Sequence, residues 1–513
     1  MKQSKVLPLT FLVTMMLGIT GCEQGKTTLS TKTKMIFTEN QLVLSNFEGL
    51  GVEWGTYEDR DKISNSAWER SLKIMDRLAP SVTRCMLNYD WFIENFDDKG
   101  DNDNSNDTWT YNFTNKYMTN TIEILRYCDD HNIDVAFGCW NVPGNVIEDQ
   151  YHMMEKVTSD PRWAVMTVDI IEYLVRYQGI HCIKYFVNSN EPNYTGIQGS
   201  SKNYNNTFAI WSQGVKNVRA ELDRRGFSNI GIIGGDTTGF EGSRTYLGGI
   251  AKDKELREAV KDYGFHLYAP NMYIDKGQLF PMIKELYDEC KKDDEDLGVV
   301  RMPHIWESGL LDGKNNETDS NGYITSFSYG LRMTDYTIQC LMAGINSICY
   351  WDFDDAMHFM YQPDGSTNTK GWGMFSSLAT DSAAKQEIRP WFHSTCLLNG
   401  LLQRGAKVYD SGVNDPEFDD SFRSMAVLGA NDEYSGVVAV NRALTPVTKT
   451  FQINKELSED QNKIYVYYYN DKDLKLGEDG YVIPNLQIDG ALNREVTIEI
   501  PAGSVVVLSS KVL

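Results

Sequence analysis

Asn190-Glu191-Pro192 follows an apolar run, residues 183–187, within IKYFVNSNEPNY, and a second glutamate, Glu307, ends another such run in MPHIWESGL. A strand that ends in a carboxylate beside an amide donor is poor core material and good catalytic material. Two such strands in one chain point two carboxylates at one bound substrate, which is what cleavage of a glycosidic bond requires. On this reading Glu191 is the general acid/base and Asn190 is the amide that holds a sugar hydroxyl. Glu307, between Trp306 and Ser308, is the nucleophile.

Other strand ends carry polar or aromatic residues where a core would want aliphatic ones. Arg84 lies inside SVTRCML. A buried arginine needs an anionic partner, and a catalytic carboxylate would supply one. His266 and Tyr268 alternate onto one face of their strand, where the tyrosine hydroxyl could orient Glu307. Trp140-Asn141 and Tyr350-Trp351-Asp352 end two further runs, and an indole there forms a floor under a sugar ring or packs inside the fold. Asp352, Asp354 and Asp355 either hydrogen-bond sugar hydroxyls or solvate a loop. DNDNSND, residues 101–107, lacks a calcium loop's glycine at its sixth position (Asn106) and glutamate at its twelfth (Asn112), so it reads as a solvated loop.

These residues need a frame. Strand patterns fall at residues 50–54, 82–87, 135–140, 183–187, 230–234, 264–268, 304–306 and 347–351. Helical patterns lie between them, as at 66–78, 117–131, 164–178, 208–225 and 327–343. Eight strands alternating with helices predict an α/β fold, a (β/α)8 TIM barrel over residues 46–399. Glu191 and Glu307 stand 116 residues apart (307 − 191), which fits three strand-helix units of about 39 residues and places them on the fourth and seventh strands. An open doubly wound sheet would carry a glycine-rich phosphate loop after its first strand, and GLGVEWG is not one. Beyond residue 400 the texture changes to SMAVLGA, SGVVAVNRA, KIYVYYYN, EVTIEI and SVVVLSS. Residues 400–513 therefore read as an antiparallel β-sandwich, which short strands in the leading segment 23–45 (MIFT and QLVL) can join.

Composition bounds the partners. The chain has 513 residues and a net charge of −22, which argues against nucleic acid and anionic membrane surfaces. The first 22 residues read as a targeting segment: Lys2 and Lys5, an apolar stretch, then Ile19-Thr20-Gly21-Cys22. This resembles the lipobox of bacterial lipoproteins, which implies lipidation of Cys22 and a membrane attachment through the anchor alone. No other stretch approaches the roughly 20 apolar residues of a transmembrane helix. The remaining eight of nine cysteines form no CxxC. A zinc site of that kind is not expected, and Cys85, Cys139 and Cys349 read as small buried hydrophobes.

Taken together, Asn-Glu ending the fourth strand, glutamate ending the seventh, arginine on the second, His-x-Tyr on the sixth and tryptophan ending the eighth resemble glycoside hydrolase clan A, retaining enzymes on a (β/α)8 barrel. CWNVPGNV and the β-domain beside the barrel are similar to family 30; FEGLGVEWG matches that family only loosely. The resemblance implies Glu191 as acid/base and Glu307 as nucleophile, with Arg84, Asn190, Tyr268 and Trp351 lining the sugar at the cleavage point. The expectation is a retaining β-glycoside hydrolase, monomeric and lipid-anchored at the bacterial cell envelope. It would act on a β-glucan, xylan or galactan type of chain by endo cleavage, with no metal and no cofactor. An exo-acting β-glycosidase and a non-catalytic glycan-binding surface lipoprotein remain the alternatives. Burial of Glu191 and the charge of Arg84 near Glu307 are expected to keep the first protonated and the second ionised.

Overall fold

All eight apolar runs become strands of one closed parallel barrel. A computed structural model describes residues 32–33, 39–88, 91–97, 108–140, 157–193, 207–355, 359–361, 367–376, 387–411, 421–452, 463–490 and 495–513. The barrel strands are β1 (Gly49–Glu53), β2 (Val82–Leu87), β3 (Asp134–Cys139), β4 (Ile183–Val187), β5 (Gly231–Thr238), β6 (Asp262–Ala269), β7 (Pro303–Leu310) and β8 (Ser347–Tyr350). They pair in chain order, and β8 closes on β1. Strands of a parallel barrel are covered on both faces, which is why they read as continuous apolar runs. Val82, Met86, Ala136, Tyr185, Val187, Ile233, Trp306 and Cys349 fill the interior as one buried cluster.

The helices form where caps and stripes direct them. In Asn65–Leu78 the buried positions Ala67, Trp68, Ser71, Ile74, Met75 and Leu78 follow helical spacing, and the Ser64 side chain accepts from the Ala67 N–H at its start. Asn115 caps Lys116–Asp130 in the same way. Asp160 caps Pro161–Glu172, with proline at the first helical position. Thr207–Arg224 and Phe327–Met342 match the remaining patterns, while Tyr173–Tyr177 continues its helix as a π turn. No described helix is long and apolar enough to cross a membrane. The eight cysteines among the described residues are free thiols, seven of them buried.

Both ends of the described chain build the second layer. A seven-stranded antiparallel sheet runs Leu44-side edge first: Leu42–Leu44, Lys407–Asp410, Phe422–Leu428, Ser435–Asn441, Ser504–Ser509, Lys463–Tyr469, Leu486–Asp489. A smaller sheet joins Lys32–Thr33, Val447–Gln452 and Glu495–Ile500. QLVL thus pairs into this layer, whereas MIFT lies outside the described residues. The strands at 407–410, 447–452 and 486–489 escape sequence reading because they are short or carry polar residues throughout. Alternation assigns the faces: Val437 and Ala439 point into the sandwich, while Val438 and Val440 join the core shared with the barrel. Charge ties the layers too. Asp335, buried in the barrel helix Phe327–Met342, accepts from Arg423 Nη1 at 2.8 Å and from Arg442 Nε at 2.5 Å.

Candidate active site

Two register slips on either side of β6 shape the C-terminal mouth of the barrel. Between β5 and β6 the pairing jumps from Gly235↔Gly264 to Thr237↔Phe265, leaving Asp236 as the extra residue. Between β6 and β7 it jumps from Ile305↔Phe265 to Glu307↔His266, leaving Trp306 extra. Bulges re-aim side chains next to functional sites. Here one turns Asp236 into the mouth, and the other brings Glu307 level with His266. Gly235 carries φ +109, and a Cβ there would meet the Gly264 carbonyl oxygen at 2.6 Å, so the turn into Asp236 needs glycine.

β4 stops at Val187, so Glu191 is not at the strand end itself but four residues beyond it. The Asn190 N–H donates to the Cys139 carbonyl at 3.2 Å and the Glu191 N–H to the Asp236 carbonyl at 3.0 Å. Glu191 (φ +40) and Asp236 (φ +57) both occupy the left-handed region, an uncommon conformation for non-glycine residues that the surrounding contacts must hold.

Arg84 is the charge centre. It is fully buried and donates to Glu53 at 2.9 Å, Asp236 at 2.8 Å, Asn190 Oδ1 at 2.6 Å and Glu307 at 3.3 Å. The Trp140 ring lies 5.1 Å from its guanidinium carbon. The expected catalytic partner is present, but two carboxylates that the sequence reading passed over are closer. Burial disfavours the guanidinium charge, and Asp236, Glu53 and Glu307 more than restore it. Burial pushes Glu53 up to about 8 even against Arg84. Asp236 stays low: burial raises it, and Arg84 and His266 outweigh that. Asn190 is therefore an oriented residue as well as a candidate sugar ligand, because its carbonyl oxygen accepts from Arg84.

His266 links the two glutamates. Its Nδ1 lies 2.9 Å from Glu191 Oε1 and 3.5 Å from Glu307 Oε2, while Nε2 lies 3.1 Å from Asp236 Oδ1. Burial alone would lower its basicity, but Asp236 and Glu307 hold it up to about 10, so both ring nitrogens donate at neutral pH. The Tyr268 hydroxyl donates to Glu307 Oε1 at 2.5 Å, as expected. One oxygen of Glu191, one of Glu307 and a nitrogen of His266 lie within 4.8 Å of one another. That is metal-site spacing, yet the cations facing these carboxylates are Arg84 and the imidazolium.

The expected separation of the two acidities is not what the site holds. Burial raises Glu191 somewhat, but the His266 hydrogen bond and charge bring it below its ordinary value. Glu307 is raised, because its burial outweighs His266 and Arg84 and because Glu191 repels it. The reversal has two causes: burial raises Glu307, and His266 sits closer to Glu191 than to Glu307.

The glutamates open into a cleft of about 1410 Å³ lined by Trp91, Trp140, Tyr268, Trp351 and Trp372 among others. Trp140 meets Trp351 edge-on at 5.7 Å, and Tyr268 meets Trp372 at 5.7 Å. Asn141, Cys22 and the 101–107 acidic run lie outside the described residues. Neither reading of the aspartates after β8 holds. Asp352, Asp354 and Asp355 are all buried; Tyr57 donates to Asp354, and Arg389 Nη2 donates to Asp355 at 2.5 Å. Asp354 and Asp355 are thus buried cross-links, and the burial of all three fits neither sugar ligands nor a solvated turn. Of the residues sequence reading missed, Glu53 had a signal: it is a carboxylate within the first strand run, GLGVEWG, and the structure pairs it directly opposite Arg84. Asp236 had none, because GGD breaks the alternation.

Solved structures share this architecture. A family 30 endoxylanase from Clostridium papyrosolvens aligns over 93% of this chain and 98% of its own, with TM-score 0.58 and 14% identity. The catalytic domain of family 30 xylanase C from Talaromyces cellulolyticus gives 0.62 and 12%, over 94% and 100%. A glucosidase from Croceicoccus marinus gives 0.60 and 12%, over 94% and 99%. No family model and no curated protein matches the chain. The chain shares with these glycosidases a (β/α)8 barrel with a β-sandwich-like companion, and at such identities the likeness is one of fold.

Proposed function

We propose that this protein is a retaining β-glycoside hydrolase of clan A that cleaves a β-glucan, xylan or galactan type of chain internally. The observation that carries the reading is the convergence of Glu191 and Glu307 on one imidazole nitrogen, at 2.9 and 3.5 Å, on the floor of the aromatic cleft. Carboxyl oxygens within 4.8 Å of each other suit the roughly 5–5.5 Å carboxyl separation of retaining enzymes and crowd out the water of inverting ones, whose carboxyls stand about 6.5–9.5 Å apart. The cleft exceeds the roughly 300–1,000 Å³ of ordinary small-molecule sites and has room for several sugar rings.

Glu307 attacks the anomeric carbon while Glu191 protonates the leaving oxygen; Glu191 then takes a proton from water to release the sugar. The proton has a source in the site. Passing it from His266 Nδ1 to Glu191 Oε1 across 2.9 Å makes Glu191 the acid and leaves Nε2–H on Asp236. The net charge of the His266–Glu191 pair does not change, so Arg84 and Tyr268 carry the stabilisation of the Glu307 carboxylate.

Alanine variants separate the roles. Glu191→Ala should lose about 10²–10⁴-fold on substrates with poor leaving groups. With a good leaving group it should still form the glycosyl-enzyme and then stall, and azide should speed turnover to a β-glycosyl azide. Glu307→Ala should form no intermediate, and azide should yield the α-product. Exchanged products would reverse the assignment, and two fully active variants would end it. A product ladder from a polymer, as opposed to single sugars from one end, tests internal cleavage. We also propose attachment to the cell envelope through a lipid on Cys22. Cys22→Ser should move the protein out of the membrane fraction with its activity intact, and unchanged fractionation would refute the anchor.

A further inference from the structure

The opposite mouth of the barrel gathers three donors that hydrolysis does not use. Glu48 precedes β1, Asp262 begins β6 and His304 is the second residue of β7, so all three stand at the N-terminal ends of strands. The buried interior cluster that includes Met86, Val187 and Trp306 fills the barrel between its two mouths. One donor atom from each of the three residues lies within 4.8 Å of the other two. His304 is fully buried. Its Nδ1 lies 2.6 Å from Ser347 Oγ, and its Nε2 has no hydrogen-bond partner, facing Asp262 Oδ2 at 3.9 Å. Glu48 Oε2 lies 3.8 Å from the ring's Nδ1.

Proton accounting leaves this cluster short. The Tyr185 hydroxyl has one proton and faces three carboxylate oxygens, Glu48 Oε1 at 3.0 Å, Glu48 Oε2 at 3.1 Å and Asp262 Oδ2 at 3.3 Å. The Met302 N–H serves the other Asp262 oxygen at 2.8 Å. A buried imidazole nitrogen without a partner, aimed at an under-served carboxylate, calls for an electrophile between them.

We propose that Glu48, Asp262 and His304 form a binding site for a divalent cation of the zinc class that clamps β1, β6 and β7 at the barrel floor. One imidazole and two carboxylates suit zinc and its first-row neighbours, whereas calcium and magnesium take oxygen sets. Ser347 Oγ accepting from Nδ1–H fixes the tautomer that turns the Nε2 lone pair toward Asp262, the usual support behind a ligating histidine. Tetrahedral zinc, about 2.0–2.2 Å from each ligand, spans roughly 3.4 Å between ligands. The 3.9 Å gap therefore closes with a shift of about half an ångström. The Glu48 side chain is 25% exposed, which opens a path from solvent.

The rival occupant is a proton, making His304 an imidazolium between Glu48 and Asp262. Full-length protein stripped with EDTA, desalted and incubated with Zn²⁺ at pH 7.5 separates the two. We expect one tightly held equivalent by elemental analysis and a Tm raised by several degrees. His304→Gln should lose both, and Glu48→Gln, at a part-exposed position, should bind at least tenfold more weakly if His304→Gln does not fold. The Glu191→Gln/Glu307→Gln double variant should keep both, since its changes lie at the other mouth. Zinc uptake equal in wild type and in the His304 and Glu48 variants overturns the site, as does no uptake at all, the result a proton would give. Uptake lost only in the double variant overturns it as well, by moving the metal to the catalytic donors.

Discussion

Each mouth of this barrel sets a buried histidine among carboxylates, and the two solve the charge problem differently. At the C-terminal mouth His266 donates from both nitrogens, and Arg84 supplies a permanent cation to Glu53, Asp236 and Glu307. At the N-terminal mouth no arginine pairs with Glu48 or Asp262 among the described contacts, one hydroxyl serves both, and His304 keeps an unpartnered nitrogen. A network whose cation is built in holds its geometry without help and can move one proton along it. A network without one needs a proton or a bound cation to balance its carboxylates. The lesson is that similar residue types at two ends of one fold sit in different charge balances because of a single guanidinium.

Removing that guanidinium is the strongest way to break the comparison. Arg84→Gln leaves three carboxylates facing each other, and breaking a buried ion pair costs about 3–5 kcal/mol. Denaturant unfolding should register that loss, and kcat/KM should fall by about 10²–10³-fold. A variant of wild-type stability would mean that Arg84 does not hold the upper mouth together.

His266→Gln tests the proton. A histidine held up to about 10 when folded, against an ordinary 6.5 when unfolded, stabilises fully below 6.5, and that contribution is lost as pH rises through about 10. Wild-type Tm should therefore decline between these pH values, and the variant should lose that part of the slope. Its activity on poor leaving groups should drop and its alkaline limb should move to lower pH. An unchanged pH profile would remove His266 as the proton's holder.

Tyr185→Phe gives the smallest effect and sharpens the contrast. It deletes the hydroxyl shared by Glu48 and Asp262, worth about 1.5–3 kcal/mol for a hydrogen bond to a charged group. The loss should appear in stability while kcat/KM stays within about twofold, since the deleted hydroxyl faces Glu48 and Asp262 and not the catalytic glutamates. A large loss of kcat would couple the two mouths, contrary to the division drawn here.

Much of this was legible in the chain. Apolar runs bounded by polar stretches marked all eight barrel strands, and the candidate site residues stood out as polar residues within or just after them: Arg84, Glu191, His266, Tyr268 and Glu307. Asp236 was not legible. A bulge puts it into the mouth, and a bulge exists only through the pairing of β5 with β6. Nor was the role of Asp354 and Asp355, which read as sugar ligands or a solvated turn until Tyr57 pairs with the first and Arg389 with the second.

Period and polarity are local properties, so the amino-acid order alone determined the barrel, the β-rich companion and the two candidate glutamates. Register, burial and the distances between charges are properties of distant segments brought together. They alone decided that Arg84 answers to Glu53 and Asp236 before Glu307, and that His266 lowers Glu191 while burial raises Glu307. A carboxylate's acidity depends on its neighbours within a few ångströms and on the water it has lost, and neither is written in the order of residues.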